Sequence, residues 1–335
     1  MKIGLAYDLK GEVPLGEGQP DDALEEYDSL ETVDGLAMAI EARGHSVVKL
    51  GGGKAFLVNI LKERVDLVFN VAEGWGSYRS REAQVPSVLE MLGIPYSGSD
   101  PQCLTVCLDK SLTKKLVSLT GVCTPRWEVV RSLGDLQEIC WDSFPFPAFV
   151  KPACEGSSKG IRAGSRVENR ERMADVVGGL LDVYRESVMV EEFIAGDEVT
   201  VGIVGNSPPR VLGIMRVLPK GCAGNFVYSL EVKRDWENLV EYECPAQLEP
   251  GVLRRIVESS LKAFEALGCR DFARLDFRVN AEGIPYFLEI NPLAGLNPRS
   301  SDLPIMARKL GLSYGDLVAA ILDSAVERYP ACAPG

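Results

Sequence analysis

The sequence predicts a mixed α/β and α+β protein built from three units. Three observations carry this expectation. Strand-type and helix-type runs alternate over the first hundred residues. A second strand–helix unit follows from about Pro101, with a Gly/Ser loop after its buried strand. A third unit from about Ala195 ends in two strands with polar residues at alternating positions. Alternation of this kind implies a parallel sheet covered by helices in the first unit.

The elements follow in order. Ile3–Tyr7 reads as a buried strand, and the acidic, Gly/Pro-bearing stretch Lys10–Asp28 as a long loop after it. Ser29–Ala42 carries Leu30, Val33, Leu36, Ala37 and Ile40 at helical spacing and stops at Gly44. Ser46–Leu50 is a strand, Phe56–Lys62 a helix and Asp66–Asn70 a strand. Glu82–Leu92 is a helix stopped by Gly93, and Ile94–Tyr96 a short strand. The second unit has a helix over Lys110–Leu119 and strands over Ala148–Lys151 and Val188–Phe193. The third has strands over Val199–Val204, Val211–Val217, Phe272–Val279 and Pro285–Ile290, and a helix over Val252–Leu267. A last helix opens at Ser313-x-x-Asp316, a capping-box pattern, with an apolar stripe from Leu317 to Ala325. The unit boundaries fall at 1–100, 101–194 and 195–330, with a tail at 331–335.

Composition removes several classes of function. The 335 residues are 46% hydrophobic and 25% charged, ordinary for a globular chain. Acids outnumber bases 48 to 36, for a net charge of -12, which argues against a nucleic-acid partner. No apolar run reaches about 18 residues, so no membrane span is expected. The opening Met1–Asp8 is too short and too soon acidic for a signal peptide. Nine cysteines with no C-x-x-C pair fit a reducing compartment, and a cytoplasmic location is expected. Cys103 and Cys107, four apart, read as core thiols. The one histidine, His45, excludes an H-E-x-x-H zinc site and reads as a helix-to-strand turn residue.

Two segments carry most of the chemistry. Arg274 and Asp276 share one strand face, as do Glu289 and Asn291, because the strand period is two. Leu275, Phe277, Leu288 and Ile290 then point into a core. Two such strands side by side present two carboxylates, an amide oxygen and a guanidinium to one cavity. Hard oxygen ligands suit Mg²⁺, and the arginine can neutralise a phosphoryl group or oxyanion. Lys151–Gly160 is a loop of small residues after a strand, which lets backbone N–H groups approach phosphate oxygens. No G-x-x-x-x-G-K-[ST] loop occurs, and Gly51–Lys54 lacks its hydroxyl residue and leading spacing. No G-x-G-x-x-G follows the first strand, so a dinucleotide dehydrogenase is disfavoured. Glu191–Ile194 with Glu198 reads as a hinge able to edge an adenine and hold a ribose.

Lys110, Lys151 with its glycine loop, Glu191, Glu198, Lys233, Arg274-x-Asp276 and Glu289-x-Asn291 occur in an order that resembles the ATP-grasp ligases, specifically the D-alanine–D-alanine ligase family. The matching text includes Tyr96–Ser99, Leu108–Lys114, Val150–Pro152, Glu155–Ser158, Ala273–Phe277, Leu288–Asn291 and the tail from Leu303, and covers roughly residues 60–327. The resemblance implies a Rossmann-like N-terminal domain and two ATP-grasp subdomains clasping ATP. It implies ATP and two Mg²⁺ ions, with Mn²⁺ as a substitute. Lys110, Lys151, Ser157 and Ser158 would meet the phosphates, Glu191, Phe193 and Ile194 the adenine, and Glu198 the ribose. Lys233 would reach the γ-phosphate from a mobile loop. Asp276, Glu289 and Asn291 would hold the metal. Arg274, Gly295, Ser157 and Lys233 would act on the reacting groups, and Ser301 on a substrate. The implied reaction activates a carboxylate as an acyl phosphate, which an amine then attacks. Such a site needs no covalent nucleophile, since positioning and charge neutralisation supply most of the rate. The implied partners are small amino-acid, amine or carboxylate substrates, with homodimer formation and a role in cell-wall biogenesis carried by analogy.

The departures cluster around the amino-acid site. The family's opening Gly-Gly turn with Ser and an acid is Tyr7–Lys10 here, leaving Glu25 or Glu26 to take the acid's role. Glu73 stands where a histidine is usual, Arg234 where a tyrosine follows the loop lysine, and Arg299 is an extra cation. The expectation is a ligase with altered substrates. The alternatives are a ligase with a peptide or specialised-metabolite acceptor, or an ATP-binding regulatory protein without catalysis.

Overall fold

The structure, a computed structural model, describes residues 1–14, 16, 18–221 and 226–329. Two positions of the acidic loop, 15 and 17, and the tail 331–335 lie outside the described residues.

The first unit holds β1 (Lys2–Ala6), α1 (Leu30–Glu41), β2 (Ser46–Gly51), α2 (Gly53–Lys62), β3 (Leu67–Asn70) and α3 (Gln84–Leu92). Its sheet is parallel, in the order β2-β1-β3. Ser29 caps α1 by accepting the Thr32 N–H, and Val33, Leu36 and Ile40 are fully buried. Gly93 ends α3 in the left-handed region, at φ 66°. The expected strand at Ile94–Tyr96 is not formed. Tyr96 makes only a single bridge to Val68, because the chain turns at once into the next helix.

Next come α4 (Pro101–Leu108), α5 (Lys110–Ser118), β4 (Trp127–Val130), β5 (Ala148–Pro152), β6 (Arg166–Val167), α6 (Met173–Tyr184) and β7 (Val188–Glu192). The sheet β4-β7-β5-β6 is antiparallel. The third sheet takes β8 (Asp197–Val204), β9 (Arg210–Pro219), β10 (Val240–Glu243), β11 (Phe272–Val279) and β12 (Pro285–Asn291) in the antiparallel order β10-β9-β8-β11-β12. Two short helices, α7 (Leu230–Arg234) and α8 (Trp236–Leu239), precede β10, and α9 (Pro250–Ala266) follows it. The chain closes with α10 (Asp302–Lys309) and α11 (Tyr314–Glu327), whose Ser313–Asp316 capping box is formed as expected.

Packing redistributes the expected boundaries. Cys103, Cys107, Val117 and Val122 join the core under the third sheet with Phe264, Leu275 and Phe287, so residues 101–122 pack with the C-terminal unit. Leu317, Val318, Ile321 and Leu322 of α11 pack with Ile3, Leu5 and Leu36 of the first unit. An apolar stripe says that a helix has a buried face, but not which sheet that face meets. No helix among the described residues is long and apolar enough to cross a membrane.

Candidate active site

The expected polar face exists. Asp276 lies directly opposite Glu289, and Arg274 opposite Asn291, across the antiparallel β11–β12 pair. Leu275, Phe277 and Ile290 are buried behind them. Leu288 is the correction. The register shifts beyond Asp276, Phe277 pairs with Phe287, and Leu288 is left as the extra residue of a bulge. A bulge re-aims a side chain, and Leu288 lines a cavity instead of the core.

Two cavities meet at this face. The larger, about 360 Å³, runs past Lys110, Ser157, Arg274, Glu289, Asn291, Gly295 and Ser301 to the acids of the N-terminal unit. The smaller, about 70 Å³, is lined by Phe149, Lys151, Ser158, Glu191, Phe193, Ile194, Glu198, Asp276 and Leu288. Lys233, Tyr228, Glu289 and Asp302 line both. All the residues expected to meet nucleotide, metal or reacting groups therefore fall on one continuous cleft.

The charges are tightly organised. Glu191 forms ion pairs with Lys151 at 2.6 Å and Lys114 at 2.9 Å, with all three side chains buried. Burial alone would raise the Glu191 carboxyl, but the two ammonium groups hold it below its ordinary range. Burial pushes Lys114 down to about 8, against the pull of Glu191. Burial would likewise raise Glu289, but Lys110, Lys151, Arg274 and Lys233 hold it well below the carboxylate range. Asp276 is pushed up by burial, partly offset by Arg274. Arg274 grips Asp276 at 2.9 Å and reaches Asp302 at 3.3 Å and Glu289 at 3.6 Å. Thr200 donates to the other Asp276 oxygen at 2.9 Å. Glu198 is held by Arg278 at 2.8 Å. Ser157 and Ser158 both sit at positive φ, 51° and 60°. That backbone costs non-glycine residues free energy and is typical of ligand loops.

The side chains expected to select a substrate behave differently. Glu26 is buried and already neutralised, by Arg81 at 2.7 Å and Lys159 at 3.2 Å. Glu25 lines the larger cavity but pairs with Arg234 at 2.5 Å. Arg299 does not face the cleft. It is 82% exposed and pairs with Glu31 at 2.6 Å, because the Asn297 side chain turns residues 299 and 300 outward through their N–H groups. Glu73 lines the cavity and makes no ion pair within 4.0 Å among the described residues. His45 lies at the α1–β2 turn, its Nδ1 3.3 Å from the N-terminal amine, away from both cavities.

Several functional positions escaped the sequence. Asp28, Arg81, Glu82, Lys159, Tyr228, Arg278 and Asp302 line or brace the cleft. Arg81 and Glu82 had no signal beyond polar residues at a helix start. Lys114 stood four residues after Lys110, the spacing of one helix face, and that was the available clue.

The family model for the D-ala D-ala ligase C-terminus matches residues 116–323. A D-alanine–D-alanine ligase of Aquifex aeolicus is 35% identical over 88% of this chain and 94% of its own length. An uncharacterised protein of Sinorhizobium fredii is 32% identical over 88% of each chain. Among solved structures, the ATP complex of the Bacillus anthracis D-alanine–D-alanine ligase superposes with a TM-score of 0.74 at 25% identity, covering 98% of both chains.

Proposed function

The chain belongs to the D-alanine–D-alanine ligase family, with its ATP-grasp architecture, and from that premise we propose how its own residues carry out an ATP-dependent carbon–nitrogen ligation. The smaller cavity takes the adenine and ribose of ATP, between Phe149, Ile194 and Leu288, with Glu198 at the sugar hydroxyls. The phosphates extend past Lys151, Ser158 and Lys233 toward Lys110 and Ser157 in the larger cavity.

Asp276, Glu289 and Asn291 fit a magnesium site. They bring hard oxygen donors from paired strands to one wall, and the surrounding cations keep Glu289 ionised. Two Mg²⁺ ions there would neutralise phosphate charge, and Mn²⁺ could replace them.

The substrate carboxylate attacks the γ-phosphorus of ATP and ADP departs, leaving an acyl phosphate. The neutral amine of the second substrate attacks the acyl carbon, phosphate leaves, and the ammonium proton is lost to solvent. Arg274 and the Gly295 N–H stabilise charge at the reacting carbonyl, and Lys233 moves with the transferred phosphoryl group. Ser157 and Ser301 orient the substrates. The observation that carries this reading is the opposition of Asp276 and Glu289 beside Arg274, at the junction of the two cavities. Retention of all four polar residues disfavours a catalytically silent nucleotide binder.

The test is phosphate release from ATP, with and without amino acids, with product identified by mass. Stimulation by an amine–carboxylate pair with a new amide supports the reading; nucleotide binding with no stimulation overturns it. A cytoplasmic location follows from the need for ATP. The exposed Leu57, Val58 and Leu61 of α2 support pairing of N-terminal units in a homodimer, which sedimentation would check.

A further inference from the structure

Asp28, Glu73 and Glu82 line the larger cavity and not the smaller one, close enough that Glu82 and Asp28 both act on Glu73. None of the three has an ion-pair partner within 4.0 Å among the described residues. The nearby cations are committed elsewhere. Arg81 spends its Nε and Nη2 on Glu26, its Nη1 on the Cys154 carbonyl, and Nη2 also on Glu155. Lys159 is held by Glu26 and Glu155. Lys110 lies against Glu289 and the Glu155 carbonyl, and Lys10 reaches Glu25.

Glu82 is 91% buried, yet its carboxyl faces the cavity and makes no side-chain hydrogen bond among the described residues. Buried polar groups are normally satisfied, so an unpartnered carboxyl aimed into a cavity marks a missing ligand group. Glu73 is held in place by its turn. Asp8, itself buried, accepts the Gly74 N–H at 2.9 Å and the Trp75 indole N–H at 2.6 Å. Gly74 sits at φ +81°, where an added Cβ would lie 2.0 Å from the Arg81 carbonyl oxygen. The turn carrying Glu73 is thus locked against the segment carrying Glu82. Burial, with Glu82 beside it, raises the Glu73 carboxyl; burial raises Glu82 against the pull of Arg81; and burial with Asp8 pushes Asp28 up to about 7.

A substrate with one ammonium group could meet only part of this cluster of carboxyls, and a second ammonium would favour their ionised form. We propose that Asp28, Glu73 and Glu82 receive the second positive charge of a diammonium substrate, a diamine or a basic amino acid, which this chain ligates in preference to amino acids with uncharged side chains. The proposal rests on the ligase reading for the reaction but not for the binding. The bond formed is still the amide, with ADP and phosphate released.

The test measures binding and turnover separately. Calorimetric titrations of the full chain, held with a non-hydrolysable ATP analogue, would use lysine, ornithine and alanine of both chiralities. At least one basic amino acid is expected to bind tenfold or more tighter than alanine, with that preference lost in E73Q/E82Q. The variant's melting temperature should not fall and its ATP-analogue affinity should stay at the wild-type value, which separates recognition from folding. If the double variant fails to fold, E73Q and E82Q singly must each weaken the preference. Alanine binding as tightly as the basic amino acids, no binding by any of them, or a preference that survives in the variants would overturn the proposal. Phosphate release in the same mixtures tests the other reading. Basic amino acids that bind without phosphate release would sink the ligase reading and leave the carboxyl cluster standing. Turnover of alanine without binding of basic amino acids would do the reverse.

Discussion

Arg234 and Glu25, 209 positions apart, meet through two contacts to one carboxylate oxygen, from Nε at 3.0 Å and Nη2 at 2.5 Å. Each departs from the family pattern, and each was expected to touch a substrate. They are spent on one another instead. The pair ties α7, which carries Lys233, to the acidic loop after β1. Arg162 adds to the same seam through Asp21 at 2.6 Å and Glu231 at 3.0 Å. The position of α7 is therefore tied to that of the acidic loop.

That seam makes a first prediction. Both partners of the pair are partly exposed, so its coupling should be modest, about 0.2–1 kcal/mol. R234A should raise the KM for ATP by a few-fold with a smaller effect on kcat. A double-mutant cycle with E25A should show non-additivity, falling as salt rises. Additive effects would mean that the pair does not help close the cleft.

The second prediction concerns Glu191 under the nucleotide slot. E191Q leaves Lys114 and Lys151 buried with their counter-charge removed. Breaking a buried pair from one side costs about 3–5 kcal/mol. Urea unfolding should show a loss of that order, and ATP-analogue affinity should fall. K114M, which removes the lysine that burial already pushes down to about 8, should be better tolerated than K151M.

Third, D276N and E289Q should each raise the Mg²⁺ concentration needed for half-maximal phosphate release at least tenfold. Chelation should abolish release in the wild type, and added Mg²⁺ should restore it. R274K keeps the charge but loses the guanidinium fork shared among Asp276, Asp302 and Glu289. It should lower kcat a hundredfold or more with little change in ATP binding. An unchanged metal requirement in D276N and E289Q would remove these carboxylates from the metal site.

Fourth, stability should respond to pH through the Asp28, Glu73 and Glu82 carboxyls. Asp28 titrates near 7 in the folded chain, against about 3.9 when unfolded. Between those values the native state keeps a proton that the unfolded state has lost. Stability from this group is therefore full below about pH 4 and declines as pH rises toward 7. Glu73 and Glu82 act in the same direction. Glu26, Asp8 and Tyr27 face the group, with Arg81, Lys110 and Lys10 as the neighbouring cations. Melting temperatures of wild type and D28N, compared from pH 4.5 to 8, should diverge, with D28N gaining relative to wild type as pH rises. A constant difference would show that Asp28 is not held protonated.

Most of the residues that line the cleft were legible in the chain. Strand period placed Arg274 with Asp276 and Glu289 with Asn291, and the ordered lysines and hinge pointed to a nucleotide. Period two failed at Leu288, because a bulge is a one-residue event with no composition of its own. Arg299 was misplaced because a sequence shows a cation but not the Asn297 turn that directs it outward. Glu26 stood as a candidate for the substrate-binding acid because nothing near it in sequence reveals Arg81 or Lys159.

The amino-acid sequence by itself determined most of the strand-forming runs, the Ser29, Gly93 and Ser313 helix signals, and the residue types expected at the phosphate and metal faces. These depend on neighbours within a few positions, where periodicity and capping act. Only the tertiary structure decided which acids are left open to a ligand. Glu25 and Glu26 are paired with Arg234 and Arg81, while Asp28, Glu73 and Glu82 line the cavity without an ion pair among the described residues. That division depends on partners brought together from distant parts of the chain and on the loss of water around them. Coulomb interaction and desolvation act through space, not along the sequence.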